Sequence, residues 1–308
     1  MQSIMLVWNR RKQVHVWVGL VLALSVPGLT GAQKLTPGEV VTKHLESIGP
    51  GAARAAVKSR TSQGEGQVTV VVGGKGNMAG PVEFISEGRK VSYRLALEFQ
   101  EYRGERLLFD GQTTEVATLR DVKGSRLERF VYQFNEIMGE GLFGGTLSTG
   151  WALLDVTGRE PKLEYQGIKK IDGVEVHQLQ YRARKGSTEL KVWIYLDSQT
   201  FRHVKTVYQL IIPPPVVTRP EESSRQVETR YKLAESFSDF RTVDGLSLPY
   251  HWNIRLTTES RDTSIWEWDM LFSRIAENQP IDPKIFQLLF TRREPQPGLS
   301  MGAEAGVF

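Results

Sequence analysis

The chain has no cysteine and only five histidines among 308 residues. Disulfide bridges and thiolate metal sites are thereby excluded, so a packed core must supply the stability. The histidines beyond residue 32, His44, His177, His203 and His251, stand alone in sequence. The paired spacing H-E-x-x-H of zinc hydrolases is missing, and these histidines read as solvent-facing or hydrogen-bonded residues rather than ligands. No metal and no other cofactor is expected. The G-x-S-x-G turn of serine hydrolases is missing too, since Ser148 has Thr146 two positions before it. With no active-site motif in the chain, no enzymatic activity is expected. Long apolar runs are lacking as well: the longest, 14–26, covers roughly 13 residues, short of the ~20 that span a bilayer. Lysine and arginine form no concentrated stripe of the kind that nucleic-acid binding requires.

What is present begins at the amino terminus. Arg10, Arg11 and Lys12 precede the apolar run 14–26, and Pro27-Gly28 ends it. Thr30-Gly31-Ala32 then places small residues three positions and one position before the Ala32/Gln33 bond. This is the layout of a secretory signal peptide over 1–32, cleaved between Ala32 and Gln33. Removing its three basic residues from a formal charge of +4 leaves about +1. The pI of about 9.2 is thus partly a property of the leader. A soluble periplasmic protein with no integral membrane segment is expected, with one domain over 33–290 and a disordered tail over 291–308.

Thr36 as N-cap, Pro37 at the first helical position and Glu39 two residues later form a capping box, and Leu35 with Val40 suits a hydrophobic staple. Val41, Leu45 and Ile48 give one apolar stripe, so a helix is predicted over 37–48, ended by Gly49-Pro50. From Gln67 the period changes to two, and turn pairs such as Asp110-Gly111, Asp172-Gly173 and Asp244-Gly245 punctuate it. Strands are predicted at 67–72, 81–87, 90–98, 105–109, 113–119, 163–170, 174–184, 188–196, 201–211, 226–240, 246–258 and 263–275. The glycine-rich stretch 73–80 reads as a hairpin loop rather than a phosphate loop, because a strand and not a helix follows it. Leu127, Phe130, Val131, Phe134 and Ile137/Met138 recur at helical spacing, which predicts a helix over 125–138 inside an insertion at 125–155. Pro213-Pro214-Pro215 marks a stiff loop at 211–222, and Asp282-Pro283 starts a short helix over 282–290.

Several strands carry a strongly apolar face. Leu248, Tyr250, Trp252, Ile254 and Leu256 alternate with Ser247, His251, Asn253 and Arg255. Val192 and Ile194, and Trp266, Trp268 and Met270, do the same. These side chains either fill an ordinary core or, on a strongly curved sheet, line a cavity for an apolar ligand.

The motifs Phe109-Asp110-Gly111, Lys170-Ile171-Asp172-Gly173-Val174-Glu175-Val176-His177, Trp193-Ile194-Tyr195-Leu196-Asp197-Ser198-Gln199-Thr200-Phe201-Arg202, Phe237-Ser238-Asp239-Phe240 and Val243-Asp244-Gly245-Leu246-Ser247-Leu248-Pro249 resemble those of the LolA-like proteins. These are periplasmic lipoprotein carriers, with relatives that include mycobacterial LppX-type lipid carriers and RseB-type stress sensors. The resemblance spans 36–290. It implies a mainly β (α+β) fold: a large curved antiparallel sheet forming an unclosed half-barrel, with helices covering the concave face. It also implies a non-enzymatic task, holding a lipid or the acyl chains of a lipoprotein, with an envelope sensor or scaffold that binds a protein partner as the other reading. The residues expected to line the ligand site are Val192, Ile194, Leu248, Tyr250, Trp252, Ile254, Trp266, Trp268 and Met270. Two features depart from the family: the chain is longer, and Glu115-Val116 stands where members often carry tryptophan.

Overall fold

Twelve antiparallel strands form one sheet in a computed structural model that describes residues 35–74, 76–97, 102, 104–116, 125–214 and 227–287. They are β1 Ser59–Val72, β2 Gly76–Glu87, β3 Lys90–Ala96, β4 Gly104–Phe109, β5 Thr114–Val116, β6 Lys162–Ile171, β7 Val174–Arg182, β8 Lys191–Asp197, β9 His203–Ile212, β10 Thr229–Val243, β11 Leu246–Glu259 and β12 Thr263–Glu277. Their spatial order is β5-β4-β3-β2-β1-β12-β11-β10-β9-β8-β7-β6, so among the described residues β5 and β6 are the edges and the sheet does not close. Each segment chosen by alternation holds one strand. The expected cleavage site Ala32/Gln33, the leader, most of the proline loop and the tail lie outside the described residues.

The sheet is strongly curved. Three strands separate β3 from β11, a distance of roughly 19 Å across a flat sheet at the usual strand spacing. Yet the rings of Tyr93 on β3 and Trp252 on β11 lie 5.4 Å apart. Only a sheet curled toward that face brings them together. Two hairpins set the register through positive φ at both central residues: Asp172 and Gly173 at 51° and 85°, Asp244 and Gly245 at 48° and 81°. That is the type I′ geometry for which Asp-Gly is suited.

Topology explains what fills the concavity. The chain lays down β1 to β5 outward to one edge and then has to reach β6 at the other. It does so along the concave face, through α3 Arg126–Gln133, α4 Glu136–Gly139, 3₁₀ turns at Gly145–Leu147 and Ala152–Asp155, and α5 Val156–Arg159. The first helix, α1 Pro37–Ile48, lies on the same face and is followed by α2 Gly51–Ala56. Leu127, Phe130, Val131, Ile137, Phe143, Leu147 and Trp151 join the concave strand residues in one apolar core.

The local expectations meet the structure unevenly. The capping box of α1 is present, with Thr36 Oγ1 accepting from the Glu39 N–H at 3.2 Å and Glu39 accepting from the Thr36 N–H at 2.7 Å. The predicted 125–138 helix is two pieces, because the chain leaves helical geometry at Phe134 (φ −114°, ψ 55°). The apolar spacing persists across the break because both pieces pack on one sheet. β1 starts at Ser59 rather than at 67, and β2 at Gly76 rather than at 81, so 76–80 is strand and not loop. The glycines that hid these strand ends are needed for close approach. A Cβ at Gly64 would lie 2.0 Å from the Leu271 carbonyl oxygen, and one at Gly80 would lie 2.0 Å from that of Ala96. The 282–290 segment holds a 3₁₀ turn, Pro283–Phe286, capped by Asp282, with 288–290 outside the described residues.

Candidate functional site

The nine residues expected to line a ligand site share the concave side. Val192 and Ile194 come from β8, Leu248, Tyr250, Trp252 and Ile254 from β11, and Trp266, Trp268 and Met270 from β12. Register pairs Trp252 with Met270 and Ile254 with Trp268. Seven of them are buried, while Tyr250 and Trp266 are half-buried. Tyr250 carries the Arg241 guanidinium over its ring at 4.4 Å, and Trp266 stacks on Trp268 at 6.1 Å.

Trp252 is the centre of this face, with 0% exposure. Phe84, Tyr93, Phe143 and Phe237 surround its ring at centroid distances of 5.3, 5.4, 5.1 and 6.3 Å. Three of these neighbours come from strands, and Phe143 comes from the crossover. The indole N–H donates to Glu235 at 3.0 Å. The same carboxyl accepts from the Gly144 N–H at 2.8 Å and the Tyr208 hydroxyl at 2.7 Å. Burial pushes Glu235 up to about 7, against the opposing effect of those three donors.

Glu105 repeats the arrangement under Trp268. It accepts from the Trp268 indole N–H at 2.8 Å and from the Tyr102 hydroxyl, and burial likewise pushes it up to about 7. Neither carboxylate was among the expected site residues. The signal was present in the alternation: Leu233-Glu235-Phe237 and Glu105-Leu107-Phe109 each place a charge on an apolar strand face.

The crossover between Gly141 and Leu153 is seated by its own side chains and by scattered polar contacts. Phe143 enters the aromatic cage, the Thr146 carbonyl accepts from Arg60, and the Thr149 N–H donates to Ser86 Oγ at 3.0 Å. Trp151 stacks on His203 at 4.5 Å and donates its indole N–H to His44 Nε2 at 2.9 Å. His44 Nδ1 therefore carries the proton that it gives to the Phe201 carbonyl at 2.9 Å. Burial pushes His44 down to about 4, so the ring is neutral. Folding thus brings two of the sequence-isolated histidines to 6.3 Å, joined through an indole. Among the described residues no group of three or more potential ligands could hold a metal ion.

The convex face holds a chain of contacts that sequence reading missed. His251 Nδ1 meets Ser238 Oγ at 2.9 Å and Nε2 meets Asp269 Oδ1 at 2.7 Å. These residues sit side by side on β10, β11 and β12, which no sequence spacing displays. Asn253 shares Asp269 at 3.0 Å, Ser238 is exposed, and the trio borders none of the cavities described below.

Two open depressions of about 310 Å³ each are lined mainly from the convex side, one by Gln63, Glu83 and Arg94 and one by Ile85, Arg274 and Ile285. A smaller void of about 30 Å³ adjoins the crossover. No described helix is long and apolar enough to cross a membrane.

No protein-family model and no curated protein matches the chain. Among solved structures it is similar to a LolA superfamily protein from Nitrosomonas europaea, at 15% identity over 83% of this chain and 99% of that one, with a TM-score of 0.42. It is also similar to a DUF1329 family protein from Desulfovibrio piger, at 11% identity over 81% and 96% of the two chains, with a TM-score of 0.41. A third is the Mycobacterium tuberculosis lipoprotein LppX, at 11% identity over 80% and 99%, with a TM-score of 0.21.

Proposed function

We propose that the protein is a non-enzymatic binding protein of the cell envelope, exported to the periplasm by residues 1–32, that holds a hydrophobic ligand on the concave face of its sheet. The ligand is a lipid or the acyl chains of a lipoprotein. The observation that supports this reading is what occupies the concavity. No second sheet lies over Trp252, Trp268 and Met270 among the described residues. Their cover is a crossover rich in glycine that inserts Phe143, Leu147 and Trp151. Apolar surface shielded in this way becomes an acyl-chain site once the Phe143 side chain swings out of the cage around Trp252.

Mass spectrometry of organic extracts from the purified mature protein tests the reading, together with titration of a fluorescent fatty-acid analogue. A defined lipid in the extract and micromolar or tighter binding that alters tryptophan emission are expected. An empty extract and no binding would refute it. The packing of Trp252, closed in by four rings, favours the second reading: an envelope sensor or scaffold that binds a protein partner. On that reading the face is permanent core and the analogue does not bind.

A further inference from the structure

The void beside the crossover is walled by two arginines served by a single carboxylate. It measures about 30 Å³, and Arg54, Arg60, Thr146, Thr149 and Trp151 form its polar and aromatic lining. Such a volume holds one or two waters or the oxygens of a carboxylate.

Three features are unbalanced there. Arg60 is 5% exposed and gives Nε to Glu277 at 2.7 Å and one terminal nitrogen to the Thr146 carbonyl, which leaves its other terminal nitrogen available. Arg54, half-buried, gives Nε to the Gly49 carbonyl at 3.0 Å and meets no carboxylate among the described residues. Thr146 is 4% exposed, and its hydroxyl has no hydrogen-bond partner. The carboxylate that Arg60 holds, Glu277, is also acted on by Asp244, and its second oxygen is buried without a hydrogen-bond partner. The buried Thr146 hydroxyl without a partner carries a desolvation cost, the terminal nitrogens of Arg54 keep donors that meet no acceptor among the described residues, and one anionic acceptor would take hydrogen bonds from both.

We infer that this void is a binding site for a carboxylate, held by Arg54 and the idle nitrogen of Arg60, with Thr146 Oγ1 as a third donor. The inference deepens the proposed function, since it rests on that reading for the source of the carboxylate, the polar end of a fatty acyl ligand. A free small carboxylate has the same chemistry, and the test separates the two.

Mature protein is titrated with acetate and with decanoate below its micelle concentration, chloride holding ionic strength constant. Tryptophan emission reports binding, because Trp151 borders the void. Saturable binding of both ligands is expected, weakened tenfold or more by Arg54→Gln, the loss that follows from removing a charge-assisted hydrogen bond. If Arg54→Gln does not fold, Thr146→Val serves as the variant that must show weakened binding. Decanoate tighter than acetate by tenfold or more identifies a lipid carboxylate. Equal affinities support the site as one for free carboxylates and remove the lipid reading. Decanoate that binds wild type and variant equally overturns the site while leaving the lipid reading standing. Absence of a saturable change with either ligand overturns the site.

Discussion

Replacing Glu235 by glutamine should make the protein more stable than wild type above pH 7 and leave it nearly unchanged at pH 4. The wild-type carboxyl is fully buried, and burial raises it from 4.5 to about 7. A carboxyl raised on folding favours the neutral acid in the folded state. Its contribution to stability is complete below pH 4.5 and is lost as the pH rises through 7, where the buried group has to ionise or drive unfolding. The interval is worth roughly 3 kcal/mol at 1.36 kcal/mol per pH unit. Glutamine mimics the neutral acid: its carbonyl can accept from Gly144 and Trp252, and its amide can donate to Tyr208, whose hydroxyl then turns. Urea unfolding of both proteins at pH 4, 6 and 8, followed by tryptophan emission, gives the difference in stability at each pH. That difference should rise by about 3 kcal/mol between pH 4 and pH 8 in favour of the variant. A constant difference, or a variant less stable at pH 8, would show that the three hydrogen-bond donors outweigh burial and hold Glu235 as the carboxylate.

Four further outcomes are expected. Trp252→Ala should cost about 3–5 kcal/mol in chemical denaturation, since it empties a packed cage and takes a donor from Glu235; a cost below 1 kcal/mol would mean that the cage collapses or is already open. Gly145→Ala should unseat the crossover, because its Cβ would lie 2.5 Å from the His203 ring at a φ of 50°; raised acrylamide quenching of tryptophan is the sign, and unchanged quenching counts against it. Exported material should begin at Gln33 on N-terminal sequencing, and an intact Met1 species in the membrane fraction would contradict both cleavage and the soluble periplasmic assignment. Washed protein should hold no stoichiometric metal and keep its melting temperature in chelator, and a stabilising zinc ion near His177 or His203 would overturn this.

Strand existence was legible because alternation is a local property of the chain. Asp172-Gly173 and Asp244-Gly245 encode their own turn, so β6–β7 and β10–β11 could be placed from four residues. What stayed hidden depends on partners distant in sequence. The first half of β1 looks like a polar, glycine-rich loop until Gly64 is seen facing the Leu271 carbonyl across the sheet. The apolar face was legible as a face, but whether it is lined or filled depends on where the crossover runs, and glycine-rich sequence carries no periodicity to show that. The Ser238, His251 and Asp269 contact likewise exists only because three strands lie in register.

The strand order also sets a timetable for folding. β1 pairs with β12, and the ion pair between Arg60 and Glu277 joins residues 217 positions apart. During synthesis β1 emerges among the first strands and its partner emerges last. The segments β1–β5 and β6–β12 can each form as successive hairpins, whose local contacts close quickly. The seam between them sits in the middle of the sheet and has to wait for the final strand. Until then β1 is an unprotected edge with Val68, Val70, Val71 and Val72 along it, a surface on which strands of other molecules can add. A chain shortened within β12 would therefore retain nearly all of its local hairpins and still lose the joint on which the concave shape depends.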